Sequence, residues 1–139
     1  MAFNPKSVTE TSGLGAKQEL FVYLESLWVA FAFNRGWALR HGEGRILQLG
    51  ADGKGRNARH ALTGLPVKVK DRVHMDGSLH YEGLAADWNL FVGGQWASGG
   101  NHQAWKELGE FWENMHSLCR WGGRFSDANH ISITHAGKS

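Results

Sequence analysis

Cysteine is nearly absent from this chain: Cys119 is the only one in 139 residues. That excludes an internal disulfide and a cysteine-based zinc knuckle. A large charge of one sign is also missing. Fifteen Lys and Arg face 13 Asp and Glu, and the formal charge of +2 is too small to imply nucleic acid as a partner. No apolar run approaches the ~20 residues a membrane helix needs. The strongest, "SLWVAFAF", is bracketed by Glu25 and Arg35 and reads as the buried face of a helix, so no stable membrane association is expected. The opening "MAFNPKSVTETSGLGAKQEL" has no apolar core of signal-peptide type, which makes the cytoplasm the expected initial location. Internal repeats, a low-complexity tail and a Gly-x-Ser-x-Gly nucleophile elbow are all lacking.

Bulky side chains, by contrast, are plentiful. Seven Trp, seven Phe and two Tyr can fill the core of a single domain spanning residues 1–139, with the polar residues 1–14 as a loose lead-in. From Lys17 to Asn34, Leu20, Leu24, Leu27, Trp28 and Phe31 recur at helical spacing, and Gly36 is a plausible stop. "WALRHGEGRIL" suggests a short strand with a turn. The glycine-rich residues 50–66 read as a long loop, and "PVKVKDRV" alternates like a strand. "GLAADWNLFVGGQW" predicts a core strand entering a glycine turn. Ala104, Leu108, Phe111, Trp112, Met115 and Cys119 form the cleanest amphipathic stripe, with Trp121-Gly122-Gly123 ending that helix and burying Cys119 as an inert thiol. "HISIT" closes as a strand. Helices and short strands mixed without βαβ regularity favour an α+β fold.

Two segments carry chemistry. A catalytic zinc usually takes three protein ligands and keeps a fourth position for water. "DGSLHYEGLAADWNLF", residues 76–91, offers His80 and Asp87, with Gly83 able to bend the chain between them. A carboxylate buried in an apolar strand costs several kcal/mol unless a cation answers it, and no neighbouring residue in the sequence is an obvious one. "GGRFSDANHISI" offers His130 as the third ligand and Asp127 three residues earlier as a proton acceptor. In a strict strand those two would face opposite ways. A turn through Ser126–Asn129 must therefore bring them together. The alternative use of the same residues, a serine hydrolase built on Ser78, His80 and Asp87, is weakened by the two-residue spacing of Ser78 and His80.

The run from Ser78 through His80 and Gly83 to Ala85 and Asp87 resembles the Ser-x-His-x-x-Gly-x-Ala-x-Asp signature of the zinc D-alanyl-D-alanine peptidase family. Asp127-Ala-Asn-His130 is similar to the family's second motif, and Trp121-Gly122-Gly123 looks like the "WGG" of its phage endolysin branch. The likeness covers roughly residues 18–134. It implies a small antiparallel sheet flanked by helices, of the kind shared with hedgehog domains. His80, Asp87 and His130 would be zinc ligands and Asp127 the catalytic base. Ser78 would contact substrate or a ligand, or serve only its turn. "GEGRIL" is similar to the segment carrying a substrate-binding arginine, which nominates Arg45, with Arg56 and Arg59 as competitors.

The function implied is a bacteriolytic metallopeptidase, an endolysin that cleaves the L-alanyl-D-glutamate bond of peptidoglycan stem peptides. It would remain in the cytoplasm until lysis released it to the cell wall, and would act as a monomer. Lys54, Arg56, Arg59, Lys68, Lys70 and Arg72, opposed only by Asp71, would help it approach an anionic wall; a solvated basic loop is the plainer reading. A D-alanyl-D-alanine carboxypeptidase is the close alternative. A non-enzymatic zinc domain of the same fold is the alternative from another class.

Overall fold

The computed structural model describes residues 2–42, 46–48, 58–60, 78–80 and 82–139. The architecture is α+β: two helices cover a small open antiparallel sheet of five strands, and two further strands form a separate pair. Helix α1, Leu14–Asn34, begins three residues before the expected Lys17 because Gly13 is extended and its carbonyl accepts the Lys17 N–H at 3.2 Å. Leu20, Phe21, Leu24, Trp28 and Ala32 are buried along it. Leu27, expected on that stripe, is exposed; one residue before Trp28, it is turned about 100° from the core. Helix α2, Gln103–Met115, buries Ala104, Trp105, Leu108, Gly109 and Trp112 against α1 and the sheet.

The indole N–H groups lock these layers together. Trp28 donates to the Leu108 carbonyl at 3.0 Å, Trp112 to the Ser132 carbonyl at 3.1 Å, and Trp88 to Glu25 Oε2 at 3.1 Å. A buried Trp contributes its large apolar area fully only when its N–H finds such an acceptor. The first residues, expected as a loose lead-in, are tied down as well. Pro5–Ser7 form a 3-10 turn, and Val8 enters the core. Lys17, fully buried, donates to the Glu10 carbonyl at 2.7 Å and lies 3.1 Å from His135 Nδ1.

The strands are β1 (Ala38–His41), β2 (Ile46–Gln48), β3 (Ala58–His60), β4 (Ala85–Val92), β5 (Gln95–Trp96), β6 (Cys119–Trp121) and β7 (His130–Ile133). The sheet order is β1-β4-β7-β6, with β5 also paired to β4. Strand β4 is the axis. One edge carries β1 in the register Leu39↔Leu90 and His41↔Trp88. The other carries β7 beside Ala85–Asp87 and then β5 beside Phe91 and Val92. Along β4, Ala86, Trp88 and Leu90 are buried against the helices, whereas Ala85, Asp87, Asn89 and Phe91 are only half-buried. This period-2 alternation gives the sheet a helix-covered face and an open face.

Further sequence expectations are corrected: helix α2 ends at Met115, so Trp121 closes a strand and Gly122–Phe125 form a 3-10 turn where Trp121-Gly122-Gly123 was expected to end that helix. Cys119 does not continue the α2 stripe. His116 is extended at φ −160°, its ring Nδ1 accepts the Leu118 N–H at 3.1 Å, and Cys119 starts β6. Its i+4 spacing from Met115 matched a helix, but pairing with β7 satisfies the backbone there instead. The thiol is nonetheless buried, and desolvation pushes its pKa up to about 12, so it is inert as a nucleophile. Within the expected loop 50–66, Ala58–His60 pair antiparallel with Ile46–Gln48; three residues are too few to show alternation. "PVKVKDRV" lies outside the described residues, as do Arg45, Lys54, Arg56, Lys68, Lys70 and Arg72. No helix among the described residues is long and apolar enough to cross a membrane.

Candidate metal centre

His80, Asp87 and His130 come together on the open face. Asp87 is delivered by β4, which turns its carboxylate away from the buried Ala86 and Trp88. His130 is its direct cross-strand partner, the first residue of β7. Neighbours in direct register on an antiparallel pair point to the same face, so this pairing suffices to join residues 43 positions apart. His80 arrives from the turn before β4. There the His80 N–H donates to Ser78 Oγ at 3.2 Å, and Gly83, at φ +71°, returns the chain toward β4. Ser78 thus serves this turn.

His130 Nδ1 lies 3.1 Å from Asp87 Oδ1, and His80 Nε2 lies 3.6 Å from the same oxygen. The two imidazoles meet edge to face with centroids 5.1 Å apart. All three side chains retain a little solvent contact, between 12% and 19% of their surface. One ligand atom from each lies within 4.8 Å of the other two, so the group could hold a metal ion. In a tetrahedral zinc site with bonds of about 2.0–2.1 Å, neighbouring donors stand about 3.3 Å apart. Both contacts to Asp87 fall near that edge length. Two imidazole nitrogens and one carboxylate oxygen are also a donor set that suits zinc and other first-row divalent ions. The donor geometry and chemistry therefore fit such an ion.

Asp127 stands at the rim. Its carboxyl titrates above the ordinary aspartate value, first because burial of the group disfavours the charge and second because Asp87 is anionic, with His130 acting in the opposite direction. The residue as a whole remains exposed, so the desolvation is partial. The turn that presents it is tightly specified. The Asp127 N–H donates to the Gly122 carbonyl at 2.9 Å, the His130 N–H donates to the Asp127 carbonyl at 3.1 Å, and Ser126 is left-handed at φ 64°. A non-glycine residue there costs roughly 1 kcal/mol or more, which places modest strain beside the site.

The Trp121-Gly122-Gly123 element explains how that turn is held. The Trp121 indole donates to the Ala128 carbonyl at 2.7 Å, one residue past Asp127, while its backbone N–H donates to Glu113 Oε2 at 3.2 Å. Glu113 is in turn gripped by Arg124 through Nε at 3.0 Å and Nη2 at 2.7 Å. The indole occupies the space that a side chain on Gly109 or Gly123 would need. Gly122 passes so close to the site that an added Cβ would meet the Asp127 carbonyl, and His130 Cβ at 2.7 Å. Gly122→Ala is therefore expected to cost about 1–3 kcal/mol through overpacking and to weaken metal affinity. Thermal denaturation with and without zinc measures both effects.

Three of these roles were not readable from the motifs: the crowding at Gly122, the Trp121 anchor on Ala128, and Arg40. Arg40 lies on β1 opposite Asn89, its guanidinium 3.9 Å over the Phe91 ring, and so belongs to the open face. The adjacent glycines were the available signal for close packing; for Arg40 there was none. No family model matches the chain, and no curated protein matches it.

Proposed function

We propose that this chain is a zinc-dependent peptidoglycan hydrolase, an endolysin-type peptidase that cuts the L-alanyl-D-glutamate bond of the stem peptide, on a frame of the D-alanyl-D-alanine-peptidase and hedgehog kind. The observation that carries the reading is the convergence of His80, Asp87 and His130 with a second carboxylate, Asp127, at the rim. Three ligands leave a coordination position open, as catalytic rather than structural zinc requires.

His80 and His130 would ligate through their ring nitrogens and Asp87 through its carboxylate. Bound there, zinc supplies Lewis acidity toward the scissile carbonyl and acidifies water toward a pKa of ~7. Asp127 takes the proton of the attacking water and returns it to the leaving amine. A carboxylate whose affinity for protons is raised does this better at neutral pH than an ordinary one. Ser126 and Gly122 hold that carboxylate in place through the turn. An arginine would hold a stem carboxylate in bidentate fashion and fix the bond to be cut; Arg45 and Arg56 remain the nominees, and Arg40 joins them. The protein would act as a monomer on the wall after release from the cytoplasm.

Mass analysis of muropeptides after digestion tests this reading. Release of stem peptides beginning at D-glutamate is expected. Free D-alanine instead would identify a D-alanyl-D-alanine carboxypeptidase, and zinc binding without any cleavage would identify a non-enzymatic domain.

A further inference from the structure

Between the end of β7 that carries His130 and the short β5, the second edge of β4 is left without a strand among the described residues. A cavity of about 210 Å³ opens there, immediately beside Asp127. It is lined by Asn89, Trp96, Ser98, Trp105, Asp127 and Asn129 among others. Asn89 lies two residues from Asp87 on the same face of β4, and Trp96 pairs directly with Phe91, which shares that face. The rest of the sheet is ordered around the cleft: the Trp88 N–H donates to the Asn129 carbonyl at 3.0 Å, and the Ala97 N–H to the Leu90 carbonyl at 2.8 Å. Trp105, buried, donates to the Ala97 carbonyl at 3.0 Å and so fixes the cleft's inner wall. Trp96, by contrast, is 60% exposed. A large indole held at a cleft mouth with most of its surface in water leaves a ring face open to a ligand.

We propose that this cleft is a subsite for an N-acetylhexosamine ring of the glycan strand, with Trp96 as its stacking platform. The inference rests on the peptidase reading above. Apart from Asp127, the described lining carries no ionisable side chain. A stem peptide bearing carboxylates finds no cation there, whereas a neutral sugar finds what it needs. The axial C–H groups of a pyranose are weakly positive and pack on the negative face of an indole. Its acetamido group both donates and accepts, as do the carboxamides of Asn89 and Asn129, and its hydroxyls match Ser98. The volume is below the roughly 300–1,000 Å³ of sites for drug-sized ligands, which suits a single ring. The position is also chemically apt, because the first amide bonds of the stem lie next to the sugar that carries it.

The test is titration of the whole zinc-loaded protein with chitotetraose, followed by tryptophan fluorescence and calorimetry, for the wild type, Trp96→Ala and Trp96→Phe. The wild type is expected to bind saturably, Trp96→Ala to bind about tenfold more weakly, and Trp96→Phe to recover part of the loss. The wild type's preference for glycan-bearing over glycan-free stem substrates, read as a ratio of kcat/KM values, should fall by about the same factor in Trp96→Ala. Because Trp96 is largely exposed, the zinc-dependent rise in Tm should persist and report an intact fold. Absence of chitotetraose binding in the wild type, or equal binding by Trp96→Ala, would overturn the subsite even if stem peptides are cleaved. Sugar binding that depends on Trp96 without any stem cleavage would support the subsite and overturn the peptidase reading.

Discussion

Asp127→Asn is expected to bind zinc as the wild type does and to hydrolyse peptidoglycan about 10²–10⁴-fold more slowly, the usual contribution of a positioned general base. The carboxamide has nearly the same shape, so the turn through Ser126 and the hydrogen bond from the His130 N–H to the residue 127 carbonyl should persist. What disappears is the ability to take a proton from water. A second consequence separates this role from a structural one. In the metal-free protein the Asp127 carboxyl titrates above its ordinary value, so the fold binds more protons than the unfolded chain between the ordinary and the raised pKa. Stability therefore falls as pH rises through that window, and the cost is constant above it. Asn carries no such cost. Metal-free Asp127→Asn should be the more stable protein at neutral pH, with the advantage vanishing once pH drops below the ordinary carboxylate range. Denaturant melts of the two metal-free proteins across pH check the sign. A variant less stable at neutral pH, or one that still clears peptidoglycan at the wild-type rate, would contradict the assignment.

His130→Ala is expected to remove metal binding and hydrolysis together. Alanine keeps the Cβ that packs on Gly122 and the backbone pairing with Asp87, so the sheet should remain while one donor is lost. Zinc stabilises a fold that binds it by about 2.7 kcal/mol at a hundredfold excess over Kd. For a domain of this size that is a rise in Tm on the order of 10 °C. The wild type should show that rise and His130→Ala almost none of it. The two variants thus dissociate: Asp127→Asn retains the thermal response to zinc and loses turnover, whereas His130→Ala loses both. Equal thermal responses in the wild type and His130→Ala would place the ion elsewhere.

Much of the site was legible in the sequence because its residues sit in two short segments with strict spacing. His80 and Asp87 flank a Gly83 that takes a positive φ, and Asp127 precedes His130 by one turn. What spacing cannot show is that Asp87 and His130 are register partners, which depends on the pairing of β4 with β7. The alternation Ala86, Trp88, Leu90 against Asp87 and Asn89 sets Asp87 on the face away from the buried positions. Asp87 is not a core carboxylate; it lies on the open face, where it converges with two imidazoles in a group that could hold a cation. Cys119 shows the opposite failure. Its helical spacing was real, but a stripe identifies apolar positions and not which backbone pattern will satisfy them, and β6 competes successfully for that residue. Val8 and Lys17 were hidden for a different reason: a polar, Gly- and Ser-containing segment gives no local sign that its partners are the Glu10 carbonyl and His135.

The most direct measurement is equilibrium zinc binding by the purified protein, with His80→Ala, Asp87→Ala and His130→Ala beside it, read by metal analysis after dialysis. One zinc per wild-type chain and markedly less in each variant is the predicted result. A wild type that leaves dialysis without metal, or three variants that retain it in full, would mean that the His80–Asp87–His130 cluster is held together by its own hydrogen bonds and serves no ion.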